Sequence, residues 1–263
     1  MAREKFKAAF FDRYLAPVDT ATAPTPAGNT NGYVGQFRPI RMNYTDIDKL
    51  VYLLALAPIS VEALDGGRLL VSGSLSPDWI PTQFEPMGPA LFREVGGERL
   101  IAFRLDKAGH ATHFLSDPTV AAERIPWNES PSFWYPVLAL AMLVMLSVLI
   151  DAAYSRGNPA ERQTRRLTVV TAAWPFLTLI VAGIVIGVYR MSILERIPVA
   201  LKAVLALPVI FLGLTAALTA AALTSWRRPV RTGRRIHLTL AALAAISLCW
   251  FCWQWNILGW QFG

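Results

Sequence analysis

The chain has 263 residues, 25 Lys and Arg against 18 Asp and Glu, a formal charge of +7 and 54% hydrophobic residues. The charge is unevenly held: residues 1–130 carry 13 basic and 15 acidic side chains, net −2, whereas residues 131–263 carry 12 and 3, net +9. Arginines gathered between apolar runs are a membrane pattern, and the first half shows no basic stripe with interleaved aromatics, so no nucleic-acid partner is expected.

Residues 1–17, MAREKFKAAFFDRYLAP, read as a short amphipathic helix that stops at Ala16-Pro17. Asp12 and Arg13 interrupt the apolar run a secretory signal would need. Residues 18–32, VDTATAPTPAGNTNG, form a Pro/Thr/Ala/Gly linker without apolar periodicity. A β domain is expected over residues 33–130. Near its start, Thr45 and Asp48 have capping-box spacing, and Ile47, Leu50, Val51 and Leu54 keep helical spacing up to Pro58. The period then changes to two. ISVEAL and RLLVSGS flank Asp65-Gly66-Gly67, ALFREV and RLIAFRL flank Gly96-Gly97-Glu98, and HATHFL follows Asp106–Gly109. Strands parted by such turns read as antiparallel hairpins, predicting a small β-meander or partial barrel with one helix. The domain is too small for a large enclosed active site.

Residues 131–263 carry four apolar runs of spanning length, at about 133–150, 167–188, 203–225 and 236–258. They predict a four-helix transmembrane bundle. The loop after the first holds Arg156, Arg162, Arg165 and Arg166; the loop after the third holds Arg227, Arg228, Arg231, Arg234 and Arg235. Both loops lie on one side of an even-numbered bundle, and arginine-rich loops stay in the cytoplasm. Both termini and the β domain are then extracytoplasmic, with Trp250, Trp253, Trp255 and Trp260 as an interfacial belt. An exported domain without a signal implies either an inverted topology or a native protein that extends ahead of Met1, and the second is expected. The spans hold no Asp, Glu, Lys or Arg between their ends, which disfavours a pump or secondary transporter, and an intramembrane enzyme would have only Thr, Ser, Cys, Gln254 and Asn256 to work with. Gly183 and Gly187 give a G-x-x-x-G spacing suited to helix packing within the bundle, and Pro175 and Pro208 predict kinks.

The stretch LFREVGGERLIAFRLDKAGHATHFL (91–115), with ERIPWNESPSF (123–133), resembles the C-terminal region of bacterial β-lactamase-related serine hydrolases, relatives of class C β-lactamases and penicillin-binding proteins. In that family a periplasmic hydrolase domain precedes a small β domain and a multi-span anchor. GYVGQFRPIRMNYTDIDKL (32–50) resembles the start of that β domain, and FFDRYLAP (10–17) the last hydrolase helix. The family's Ser-x-x-Lys nucleophile motif occurs nowhere here, and Arg231-Thr232-Gly233 matches the Lys/His-Thr-Gly element only by chance, between spans. The resemblance therefore implies the inner-membrane anchor and accessory region without its catalytic domain, a non-enzyme whose partners are the lipid bilayer and a serine hydrolase domain in cis or in trans. A stand-alone membrane-bound protein that binds or senses an envelope ligand is the alternative.

No residue set argues for a cofactor or metal. His110 and His113 lie three apart in an expected strand, where strict alternation sends them to opposite faces. Cys249 and Cys252 have C-x-x-C spacing, but inside an apolar span and without a βαβ context they read as small core residues.

Overall fold

From Gly35 to Arg124 the apolar residues alternate because the chain makes eight short strands, each with one face turned inward. The computed structural model describes residues 30–41, 44–47, 49–54, 58–73, 80–116, 120–154, 162–189, 199–227 and 231–259. The expected helix at 1–17, the linker up to residue 29, Arg156, Arg228 and Trp260 lie outside them. The strands are β1 Gly35–Pro39, β2 Ile59–Ala63, β3 Leu69–Ser72, β4 Thr82–Gly88, β5 Leu91–Glu94, β6 Leu100–Leu105, β7 Ala111–Ser116 and β8 Val120–Arg124. Each pairs antiparallel with its sequence neighbour, and β8 returns to β1, with Phe37 opposite Arg124 and Arg38 opposite Glu123. The meander or partial barrel expected from the hairpins is thus corrected to a closed barrel. Closure leaves no strand edge unpaired, and the pairing that achieves it joins segments more than 80 residues apart, which no local turn signal reports.

Eight strands enclose a space just wide enough for side chains. Phe37, Ile59, Val61, Leu69, Val71, Phe84, Phe92, Ile101 and Phe114 fill it with almost no exposure. Phe103 sits at the centre, edge-on to Phe92 at 5.8 Å and to Phe114 at 5.6 Å between ring centroids, while Tyr33 closes over Phe92 at 5.1 Å. Such pairs add about 0.5–1.5 kcal/mol each beyond the area they bury. A bulge at Arg104/Leu105 lets Ala111 and Phe114, three apart, both face inward. Strict alternation between His110 and His113 therefore fails. Exposed His110 sits beside Asp106 in the hairpin turn, and half-buried His113 contacts the Thr112 hydroxyl. In that turn the amides of His110 and Ala108 donate to Asp106 Oδ1, and the His110 amide above all holds the carboxyl below its ordinary value. This contribution is complete at neutral pH and is withdrawn only as pH falls through the lowered value.

Two arginines hold the seam. Arg38 directs Nε and Nη2 at Glu123 Oε1, both at 2.9 Å, across the β1–β8 pair. Arg124 donates through Nε to the Ala111 carbonyl at 2.6 Å and through Nη2 to the carbonyls of Val34 at 2.6 Å and Gly32 at 3.3 Å. One guanidinium thereby binds the starts of β7 and β1 to β8. Gly73, at φ 117°, is required where it stands: a Cβ there would lie 2.1 Å from the Pro58 carbonyl oxygen.

The helices are α1 Lys49–Leu54, α2 Pro131–Tyr154, α3 Arg162–Tyr189, α4 Val199–Val204, α5 Ala206–Ser225 and α6 Thr232–Gln254. Among the described residues four helical stretches are long and apolar enough to cross a membrane: α2 with 24 residues, α3 with 28, α4–α5 together with 27, and α6 with 23. A helix spans lipid because all its backbone groups bond within the segment. The third stretch breaks at Leu205, three residues before Pro208, which has no amide to offer the Val204 carbonyl. Pro175 lies inside α3, which continues through it. The fourth ends earlier than the expected 258. Asn256, at φ 55°, directs its amide to Trp253 O, and the Ile257 amide reaches back to Cys252 O at 2.8 Å. That is a Schellman end with Asn in the left-handed position.

In the bundle α6 packs on α2 and α5, and α3 on α2 and α5. Ala241, Ala242, Ala244 and Ala245 let the neighbours approach α6 closely. Leu140, Leu143, Leu179, Ile180, Ile184 and Leu223 are exposed on the outside, an arrangement suited to a lipid solvent rather than to water. The chain divides into two compact units, residues 1–41 with 56–125, and residues 42–55 with 126–263. Helix α1, expected as part of the β domain, therefore belongs with the bundle.

Replacing Arg124 by Met, which keeps length and loses the donors, should cost the barrel about 2–3 kcal/mol. Amide hydrogen exchange read on β1, β7 and β8 checks this; unchanged protection there would deny the clamp.

Candidate functional site

Two clusters of polar groups mark the bundle, one at each end. The first begins with Lys49 at the start of α1. Its side chain is 8% exposed, and Nζ lies 2.7 Å from Glu129 Oε1, itself 11% exposed, in the 3-10 turn Trp127–Glu129 that precedes α2. Nζ also donates to the Gln254 carbonyl at the C-terminus of α6, 3.1 Å away, where the helix dipole favours a cation. Gln254 Nε2 completes the triangle by donating to the same Glu129 oxygen at 2.8 Å. The Trp255 ring lies 5.4 Å from the ammonium.

Aromatic rings close around this triangle. Trp134 is fully buried and stands edge-on to Trp250 at 4.9 Å and to Phe251 at 5.2 Å, with its indole N–H donated to the Asn128 carbonyl. Tyr135 donates its hydroxyl to Leu53 O, and Asn256 Nδ2 reaches the carbonyls of Tyr44 and Asp46. The expected tryptophan belt is thus divided: Trp255 is buried, Trp250 half-buried, and Trp253 alone of the three faces out, 64% exposed. The reason is α1, which covers the end of α6. Chemically the cluster is a fastening. Its charges are saturated by each other and by carbonyls.

The second cluster lies at the opposite end, where α2 finishes and α3 and α6 begin. A cavity of about 520 Å³ opens there, lined by Val148, Asp151 and Ala152 of α2, Thr164, Arg165, Thr168 and Val169 of α3, and Arg231, Gly233, Arg234, His237 and Leu238 at the start of α6. Arg165 is steadied by donating Nη2 to the Ala152 carbonyl at 2.6 Å. His237 Nε2 lies 3.0 Å from Ser147 Oγ, and that hydroxyl also contacts the Val144 carbonyl at 2.7 Å. Among the described topology arginines, Arg165, Arg231 and Arg234 converge on the cavity. Arg162, Arg166 and Arg227 are exposed away from its lining, and Arg235 stacks over Trp226 at 6.0 Å. Reading the loops for charge alone missed this convergence. The available signal was helical spacing: Thr164 and Thr168 are four apart, Arg231 and Arg234 three, and each pair takes one helix face.

The remaining candidates stand apart from both clusters. No heavy atom lies within 4 Å of where a Cβ would sit on Gly183 or Gly187, so within one chain these glycines bring no other helix close. Cys249 and Cys252 are free thiols; Cys249 is buried and its Sγ contacts Thr215 Oγ1 at 3.3 Å, joining α6 to α5. Arg231-Thr232-Gly233 forms the first turn of α6 rather than a strand.

Truncating Glu129 to Ala would strand the Lys49 ammonium in an apolar shell and should destabilise the bundle by about 3–5 kcal/mol. Adding Lys49→Met to that variant should restore most of the loss, as thermal unfolding of the detergent-solubilised chain followed by tryptophan fluorescence would show. No protein-family model, curated protein or solved structure matches the chain, so its chemistry is read from its own residues.

Proposed function

We propose that the chain is a non-catalytic anchoring and accessory module, in which four spans hold a small β-barrel at the outer face of a bacterial inner membrane. There it supports a β-lactamase-related serine hydrolase domain, in cis or in trans. The observation that carries this reading is the pairing of a side-chain-filled barrel with an apolar four-span bundle. A barrel whose interior is occupied by Phe37, Phe84, Phe92, Phe103 and Phe114 offers its outer surface, not a chamber, to a partner. The resemblance of residues 91–115 and 123–133 to the corresponding region of such hydrolases suggests the partner class, and the lack of Ser-x-x-Lys leaves the chemistry to that partner. The arginine excess of the loops after the first and third spans supports cytoplasmic placement of those loops and an extracytoplasmic barrel.

Single cysteines introduced at Lys107 in the barrel turn and at Arg227 after α5, in a chain with Cys249 and Cys252 replaced by Ser, test the orientation. A membrane-impermeant maleimide should label position 107 in spheroplasts and position 227 only after permeabilisation; the reverse pattern would overturn it. The purified chain should show no covalent acylation by a fluorescent penicillin, and it should co-purify with a co-expressed serine hydrolase domain of this class. Stoichiometric acylation of the chain alone would end the non-catalytic reading.

A further inference from the structure

The arginine-lined cavity is unused by the anchoring role, and its chemistry is graded with depth. Toward the bundle interior its wall is apolar, from Val148, Val169 and Leu238. Toward the helix ends it is polar and cationic, with Arg165, Arg231 and Arg234 against the carboxylate of Asp151, a formal charge of +2 from these four side chains. Guanidinium forks match the paired oxygens of a phosphate, and at the end of a membrane-spanning bundle the abundant phosphate that also brings apolar chains is the phospholipid head group.

The backbone adds to the same surface. Helix α6 begins here, and Arg231 in its N-cap position makes no side-chain capping bond, so the first-turn amides of Thr232 and Gly233 are left without that partner. Gly233 itself lines the cavity, and as the second residue of α6 its N–H has no carbonyl within the helix to bond. A helix start alone would not make a site. A cavity of about 520 Å³ with three converging arginines, an uncapped first turn and an apolar floor does.

We propose that this cavity binds the phosphate of an anionic phospholipid, with the phosphate among Arg165, Arg231, Arg234 and the α6 amides and the glyceryl and first acyl carbons against Val148, Val169 and Leu238. Basic pockets between span ends are suited to such head groups. The apolar floor distinguishes the lipid from a soluble phosphate, which would leave Val148, Val169 and Leu238 wetted. The inference holds whether or not the chain serves a hydrolase, because it needs only the bundle.

The test uses the full chain, purified in a zwitterionic detergent and titrated with dioleoyl phosphatidylglycerol or dioleoyl phosphatidylcholine under native mass spectrometry, alongside inorganic phosphate and glycerol 3-phosphate as competitors. Saturable retention of the anionic lipid over the zwitterionic one is expected. Arg231→Gln combined with Arg234→Gln should weaken it roughly tenfold or more. Arg166→Gln, a charge change outside the lining, should leave it unchanged, with thermal unfolding confirming that both variants are folded. Leu238→Gln should weaken lipid retention without affecting phosphate competition. Equal retention of both lipids, or the same loss in Arg166→Gln as in the cavity variant, would overturn the proposal. So would full displacement of lipid by millimolar inorganic phosphate, which would assign the arginines to a soluble ligand.

Discussion

An ammonium group taken out of water must find its counter-charge or the surrounding packing fails, and the bundle closes around one such group. Lys49 is held by Glu129, by the last carbonyl turn of α6 and by the face of Trp255. Glu129 precedes α2 and the other two partners end α6, so with α1 itself the contact registers three segments against each other in a single geometry. The aromatic packing of Trp134, Trp250 and Phe251 presupposes that registration, since rings meeting edge-on tolerate little sliding. The Schellman end at Asn256 then turns the chain back so that the same side chain holds the Tyr44 and Asp46 carbonyls.

The barrel answers to a different constraint. Short strands of four to seven residues have little stability as an open sheet, and closure gives every strand two partners. The cost of closure is a long-range pairing, which the structure offsets with charge: Arg38 with Glu123, and Arg124 with three carbonyls. The interior is left to aromatic rings and branched aliphatics. An inner space full of side chains leaves no chamber inside the barrel.

Local signals were legible and distant pairings were not. The four apolar helices could be read from apolar length alone; their observed ends differ from the expected ones by up to five residues, because polar turns at most boundaries remain helical while the last helix stops early at its Schellman end. Hairpins announced by Asp65-Gly66-Gly67 and Gly96-Gly97 were legible; β4, with Pro86 inside it, and β8, built on Ala121 and Ala122, carry weak strand signals and escaped. The β1–β8 seam and the Lys49–Gln254 contact, 205 residues apart, have no sequence-local trace. The arginines were legible as a topology signal, yet their meeting in one cavity depends on how α2, α3 and α6 pack. The Gly183–Gly187 spacing was the converse: a clear pattern that one chain leaves facing outward.

The position of α1 in the chain carries a consequence for biogenesis. Residues 42–55 leave the barrel after β1, join the bundle and return to begin β2. A ribosome delivers this segment long before residue 254 exists, so Lys49 must wait, solvated, through the synthesis of all four spans. Its burial is therefore among the last events of assembly, and it reports that the final span has arrived in register. A nascent chain that stalls or inserts its last helix wrongly keeps this lysine and its neighbouring leucines outside. Such a chain leaves apolar surface on this segment open to the wrong contacts, whereas the finished molecule conceals it.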